Sequence, residues 1–252
     1  MVAKMMAVQR TALYVRGGGD PFLISEELAP LATGLVAVVG KKPIDDIVLD
    51  ASHYPSNLRI PGIEETDESY NALNSALAVN FNTVSAVRDG DKVRPAGLKP
   101  VYVHQSPTLS KILADLLRAS NNYVANQVFL EIGAHRLGGP VSLGKSLQVA
   151  NEMLAAHGLA DAIHLEEGSG ISRNNRFSAR GLAKVLALFA PHADLLHGHD
   201  GGKNKTGTLE GVCTLAGYAD TSSHGRVRFV ISLATNDGEM RFRLLRAIES
   251  GL

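Results

Sequence analysis

The sequence predicts a mixed α/β (α+β) chain in which helices flank an antiparallel sheet. Three observations carry this expectation. Short apolar runs broken by turn signals fill the first hundred residues, helical periodicity takes over from Ser106, and the tail reads strand, strand, turn, strand, helix.

In chain order, Ala12-Leu13-Tyr14-Val15 ends at the turn cluster Gly17-Gly18-Gly19-Asp20-Pro21. Leu35–Val39 and Ile44–Leu49 read as strands around Gly40-Lys41-Lys42-Pro43, and Asn80–Val87 as another, ended by Asp89-Gly90-Asp91. Residues 1–100 therefore read as a β-rich unit. Residues 101–252 form a second unit, opening at Ser106-Pro107 with a helix that carries Leu109, Ile112, Leu113, Leu116 and Leu117 on one face. A second helix starts near Asn121 and stops at Gly138-Gly139-Pro140. A third spans 143–157, and a fourth is capped by Ser178 and closed by Pro191. Strands at 203–209, 212–219 and 226–235 and a terminal helix complete the chain.

The 252 residues carry 25 Lys plus Arg against 25 Asp plus Glu, so no global field draws nucleic acid or an anionic membrane. Cys213, in an apolar run, reads as a small buried hydrophobe. No segment approaches the roughly 20 apolar residues of a membrane span. The N-terminal MVAKMMAVQRTALYV has no sustained apolar stretch, and no secretory signal is read there.

Two polar triplets stand out. Ser120-Asn121-Asn122 interrupts two apolar helices, and Lys205-Thr206-Gly207 opens a strand. Either alone has a plain structural reading, helix capping for the first and chance for the second. In this order they match the second and third elements of the S-x-x-K, S-D-N, K-T-G set of serine acyl-transferases. Flanking phrases extend the match: Leu13 to Pro21, Tyr70-Asn71-Ala72-Leu73 with Val79-Asn80-Phe81-Asn82, Glu167 to Asn174, and Lys205 to Val212 followed by Ala216-Gly217-Tyr218.

From about residue 12 onward the chain resembles the serine-type D-Ala-D-Ala carboxypeptidases, the low-molecular-mass penicillin-binding proteins that are also DD-endopeptidases. The resemblance implies a β-lactamase/transpeptidase-like fold, with 1–100 a remnant of an inserted domain and 101–252 the C-terminal part of the transpeptidase-like domain. It implies a periplasmic or cell-envelope location and no cofactor or metal. Its ligands would be peptidoglycan stem peptides ending in D-Ala-D-Ala, and β-lactams. It assigns catalytic roles to Ser120 as a proton relay, Asn122 as a substrate-orienting amide, and Lys205. Lys205, Thr206, Gly207 and Thr208 would bind substrate: the Lys205 amine and Thr206 hydroxyl would hold the terminal carboxylate, and Gly207 would let the backbone approach the ligand.

The family's nucleophile motif, S-x-x-K, should precede Gly17-Gly18-Gly19. The sixteen residues there contain no serine. Only Ser142-Leu143-Gly144-Lys145 has the spacing, and it lies between the other two motifs at a helix start. The chain alone is therefore expected to lack turnover and penicilloyl-adduct formation. A non-catalytic module binding stem peptide or β-lactam is the alternative. The resemblance also places N-terminal strands beside 226–235, an apolar strand that here becomes an edge able to pair in a homodimer or with a complementary fragment.

Three further patterns were weighed. Gly139–Ser146 fits the phosphate-cradling G-x-x-x-x-G-K-S pattern but follows a helical stretch instead of a strand and contains Pro140. His197-Gly198-His199-Asp200 has metal-ligand residue types but no distant partner. Arg241, Arg243 and Arg246 read as a solvated helix end favoured by the dipole.

Overall fold

The computed structural model describes residues 12–40, 43–83, 99–198 and 202–251. Its C-terminal sheet is three-stranded and antiparallel, ordered β5 (Lys203–Leu209), β6 (Val212–Thr221) and β7 (Gly225–Leu233). Lys205 pairs Ala216 and Gly207 pairs Thr214 on one side of β6, while Ala216 pairs Val230 on the other.

Both faces of this sheet are covered. Leu215, Ala219, Phe229 and Ile231 bury against Phe242 of the terminal helix α6 (Met240–Gly251). The opposite face packs Tyr218, Ala216 and Val230 against Leu186 and Phe189 of α5 (Ala179–Phe189) and Leu117 of α2 (Leu109–Ala119). Each fully buried leucine in such a core is worth about 1.5–3 kcal/mol. Tyr218 reaches through the second layer to donate its hydroxyl to the Leu186 carbonyl at 2.6 Å.

Helix α3 (Asn122–Leu137) is the hub, with Tyr123, Val124, Asn126, Gln127, Leu130 and Ala134 all buried. It is enclosed on several sides, and α4 (Leu143–Ala156) packs along it. Its other neighbours come from the first hundred residues: Leu130 and Ala134 share a cluster with Tyr54, Ile60 and Ala76. Polar pins reinforce the contact, with Gln127 Nε2 donating to Ser75 O at 2.8 Å and Asn74 Nδ2 to Tyr123 O at 2.9 Å.

The first half differs from its β-rich expectation. Its strands among the described residues are β1 (Ala12–Arg16) and β2 (Asp46–Asp50), paired in parallel. Parallel pairing requires a crossover, usually helical, and α1 (Ser25–Val39) supplies it. Leu35–Val39, expected as a strand, is the last part of that helix. Its β-branched residues suggested a strand, but Leu28, Leu31, Leu35 and Val38 keep helical spacing behind Glu26 and Glu27 in the first turn.

The strand expected at Asn80–Val87 is also corrected where described. Asn80, Phe81 and Asn82 form a short turn with φ of 52°, 59° and 56°. Asn80 holds it by hydrogen bonds to the Ser25 amide and hydroxyl, and Asn82 Nδ2 donates to Leu73 O. Residues 84–87 lie outside the described residues, as do 91–98 of the expected junction.

Later elements follow the periodicity closely. The helix expected from Ser106 starts at Leu109, because Thr108 is its cap. Pro191 does not end its helix outright: a 3-10 turn runs on through Ala190–Leu195. Two short strands were not anticipated, β3 (Ile163–His164) and β4 (Arg176–Phe177), paired antiparallel.

Candidate active site

The junction of α2 and α3 divides labour among three residues. Ser120 ends α2 in the left-handed region, at φ 55° and ψ 46°, and its amide bonds Leu116 O at 2.8 Å. Asn121 caps α3, its Oδ1 accepting from Val124 N at 3.0 Å. Helix capping is therefore real at this triplet, but Asn121 provides the side-chain cap. The Ser120 hydroxyl is left free to face β5.

Lys205 meets it there. Its Nζ donates to Ser120 Oγ at 2.8 Å and to Thr206 O at 2.7 Å, closing a separation of 85 residues. Among the described residues no carboxylate pairs with this amine. Burial first, and then the charge of Arg241, hold its pKa below the usual lysine value.

The other predicted residues surround this contact differently. Asn122 turns its amide toward Tyr70 O at 3.4 Å. Tyr70 comes from the first half of the chain and is 52% exposed; it stands in one of the phrases that carry the family match, which gave it no site role. Successive strand residues alternate faces. Thr206 pairs with Leu215 and so shares the α6 face, and Thr208 accepts from Arg241 Nη1 at 2.9 Å on that side. Gly207 has an internal reason to lack a side chain: a Cβ would collide with Thr214 Oγ1 on the paired strand. One edge of β5 pairs with β6, and the other carries no strand among the described residues.

The Glu167–Asn174 phrase is a loop pinned to α3. Glu167, 1% exposed, accepts from Ser169 N and Oγ at 2.6 Å, from Gly170 N at 2.7 Å and from Asn175 Nδ2 at 2.6 Å. Fully buried Asn126, one turn beyond Asn122, accepts from Gly168 N at 2.7 Å and donates to Ser169 Oγ. Arg173 of the same loop donates to Glu210 O, tying it to the β5–β6 turn.

The competing motifs have other occupations. Lys145 Nζ donates to Gly138 O and Pro140 O at 2.6 and 2.9 Å, closing the turn after α3. Ser142 is the N-cap position of α4. A helix precedes Gly139–Ser146, as the periodicity implied, so the remote phosphate-cradle alternative lacks the strand it needs. His197 Nδ1 lies 3.2 Å from Leu195 O, and His199 and Asp200 fall outside the described residues. Arg241 is not at a helix end favoured by the dipole: it lies in the first turn of α6.

The sequence profile of the D-Ala-D-Ala carboxypeptidase 3 (S13) family matches residues 6–94 and 87–201. The chain belongs to this family. The matched ranges include Ser120–Asn122, and Lys205–Gly207 follows them.

A curated relative, D-alanyl-D-alanine carboxypeptidase DacB of Haemophilus influenzae, is 28% identical over 153 residues, covering 50% of this chain and 32% of its own. The chain thus spans about a third of that relative's length. Among solved structures, penicillin binding protein 4 (dacB) from H. influenzae matches with TM-score 0.69 and 18% identity, over 93% of this chain and 82% of that one. The same protein complexed with a β-lactam matches with TM-score 0.65 and 18% identity, over 95% and 82%. The Bd0816 predatory endopeptidase of Bdellovibrio bacteriovorus, bound to an immunity protein, matches with TM-score 0.50 and 19% identity, over 94% and 74%. These structures share the penicillin-binding fold of mixed helix and antiparallel sheet.

Proposed function

We propose that the chain carries the substrate-holding and proton-relay side of a serine-type D-Ala-D-Ala carboxypeptidase/endopeptidase site of the bacterial cell envelope. Its ligands are peptidoglycan stem peptides ending in D-Ala-D-Ala, and β-lactams. The observation that carries this reading is the 2.8 Å contact between Ser120 Oγ and Lys205 Nζ.

In this reading the stem peptide adds as a strand to the free edge of β5, by main-chain hydrogen bonding. The Lys205 ammonium, lacking an acidic partner, takes the terminal carboxylate. Ser120 passes a proton between that ammonium and the departing amine, and Asn122 exchanges its long contact with Tyr70 O for the substrate amide. These are positioning and general acid–base roles.

Acyl transfer also needs an activated nucleophile. The one serine with a lysine three positions on is Ser142, and its Lys145 closes a turn. We therefore assign the Ser120–Lys205 pair binding and proton transfer, with no attack by Ser142.

Calorimetry with a stem pentapeptide ending in D-Ala-D-Ala tests the proposal. A charged hydrogen bond is worth about 1.5–3 kcal/mol, so K205M should weaken binding by roughly ten- to a hundredfold. Benzylpenicillin should compete with the peptide. Unchanged affinity in K205M removes the reading.

A further inference from the structure

Arg241 occupies a position its own helix disfavours. The N-terminal end of a helix carries partial positive charge; α6 has no acidic residue in its first turn, and of the acids just before it, Asp237 pairs with Arg243 and Glu239 accepts the Phe242 and Arg243 amides at its carbonyl. Among the described residues Arg241 forms no ion pair with a carboxylate. Its polar partners lie across the sheet. Nη1 donates to Gly207 O at 3.0 Å, to Thr208 Oγ1 at 2.9 Å and to Thr214 O at 3.3 Å, bridging β5 and β6 beside Lys205. Its Nε is buried without a partner, and its guanidinium stacks on Phe242 with 5.1 Å from Cζ to the ring centroid.

We propose that Arg241 is a positioning residue for the Ser120–Lys205 site, holding the Gly207–Thr208 step of β5 in place while its charge acts on the Lys205 amine. This rests on the function proposed above and adds a residue that the sequence pattern passed over. Two jobs are combined in one side chain. Nη1 alone reaches all three acceptors, and its hold on Gly207 O and Thr208 Oγ1 locks the strand whose outer edge receives the peptide. Burial is the larger cause of the lowered Lys205 pKa, and the Arg241 charge adds to it in opposing protonation of that amine. Lys205 is thereby kept ready to give up a proton to Ser120.

The test is the titration of Lys205 in the full chain carrying 13Cε-labelled lysine, with K205R used to assign its signal. In R241M the Lys205 midpoint should move upward. In R241K, which keeps the charge on a shorter side chain that falls short of the Nη1 acceptors, the midpoint should stay low while affinity for the D-Ala-D-Ala pentapeptide falls several-fold. A wild-type midpoint retained in R241M overturns the inference, and so does a midpoint in R241K as high as in R241M, since packing alone would then explain the shift. If R241M fails to fold, added salt replaces it: screening should raise the wild-type midpoint, and a salt-independent midpoint overturns the proposal. Failure of the peptide to bind wild type at any pH is a separate result, which removes the proposed function and leaves the Lys205 titration to be judged alone.

Discussion

Replacing Ser120 separates the backbone demand of the site from its chemistry. Ser120 is a non-glycine residue at φ 55° and ψ 46°, where a Cβ costs about 1–2 kcal/mol. Its hydroxyl accepts from Lys205 at 2.8 Å, a contact to a charged group worth about 1.5–3 kcal/mol if fully buried. The bond is exposed on the serine side, so the lower end of that range applies. S120A keeps the strain and loses the bond, and should be less stable than wild type by about 1.5 kcal/mol. S120G loses the same bond but relieves the strain, less about 0.5–1 kcal/mol for the freer unfolded chain. The difference places S120G above S120A by up to about 1 kcal/mol, or about 2–4 °C in Tm for a chain of this size. Thermal unfolding by circular dichroism, with calorimetric peptide binding on the same samples, reads both quantities. Both variants should lose peptide affinity. If S120G melts below S120A, Ser120 bears no backbone strain and the division of labour at the α2–α3 junction is wrong.

Four further outcomes follow. In the proposed site Lys205 takes the carboxylate while protonated, and its pKa lies below the ordinary lysine value; peptide affinity should therefore fall as pH rises through that lowered pKa, before an ordinary lysine would titrate, which calorimetry across alkaline pH will show. E167Q leaves buried donors facing an amide and should cost about 1–3 kcal/mol, measured by urea unfolding; a neutral result would mean the Glu167–Asn175 loop is held by other contacts. G19A adds a Cβ that collides with Glu131, at a residue with φ of 78°, so it should destabilise by more than about 1 kcal/mol. The 252-residue chain should give no penicilloyl adduct in intact-mass spectrometry after benzylpenicillin, and an adduct on Ser142 would reverse the assignment of Lys145 as a turn closer.

The legible parts of the fold were those decided by local pattern. β5, α3 and α4 begin where turn residues and caps sit, because Asn121 at α3 and the Gly-Pro break before α4 act within a few residues. The first half was misread where distant pairing overrides local preference: Val36, Val38 and Val39 suit a strand, but joining β1 to β2 in parallel requires a helix there. Asn80–Asn82 was misread because its turn is held by Ser25, which lies far off in sequence, as well as by nearby Leu73.

The site divides in the same way. Ser120 and Lys205 were found because their residue types recur in a known order, and the structure brings them into contact. Tyr70, quoted only within a family phrase, and Arg241, read as part of a solvated helix end, gained no site role from sequence because their relevance lies in three-dimensional placement. The available signal for Arg241 was its position: the turn at 236–239 ends just before it, so it had to begin a helix where its charge is disfavoured. The β7 strand was read as apolar and edge-forming, and it pairs with β6 alone among the described residues. Size-exclusion chromatography should show it self-associating with concentration, and a monomer with fast amide exchange over 226–232 removes the homodimer expectation.

A crystal structure with the D-Ala-D-Ala pentapeptide bound tests the central claim most directly. The account predicts the peptide main chain paired with the outer edge of β5, its terminal carboxylate on Lys205 Nζ, and Asn122 released from Tyr70 O. A peptide lodged elsewhere, such as the open groove between Ala190, Ala193 and Arg228, with Ser120 and Lys205 still bonded only to each other, would contradict it.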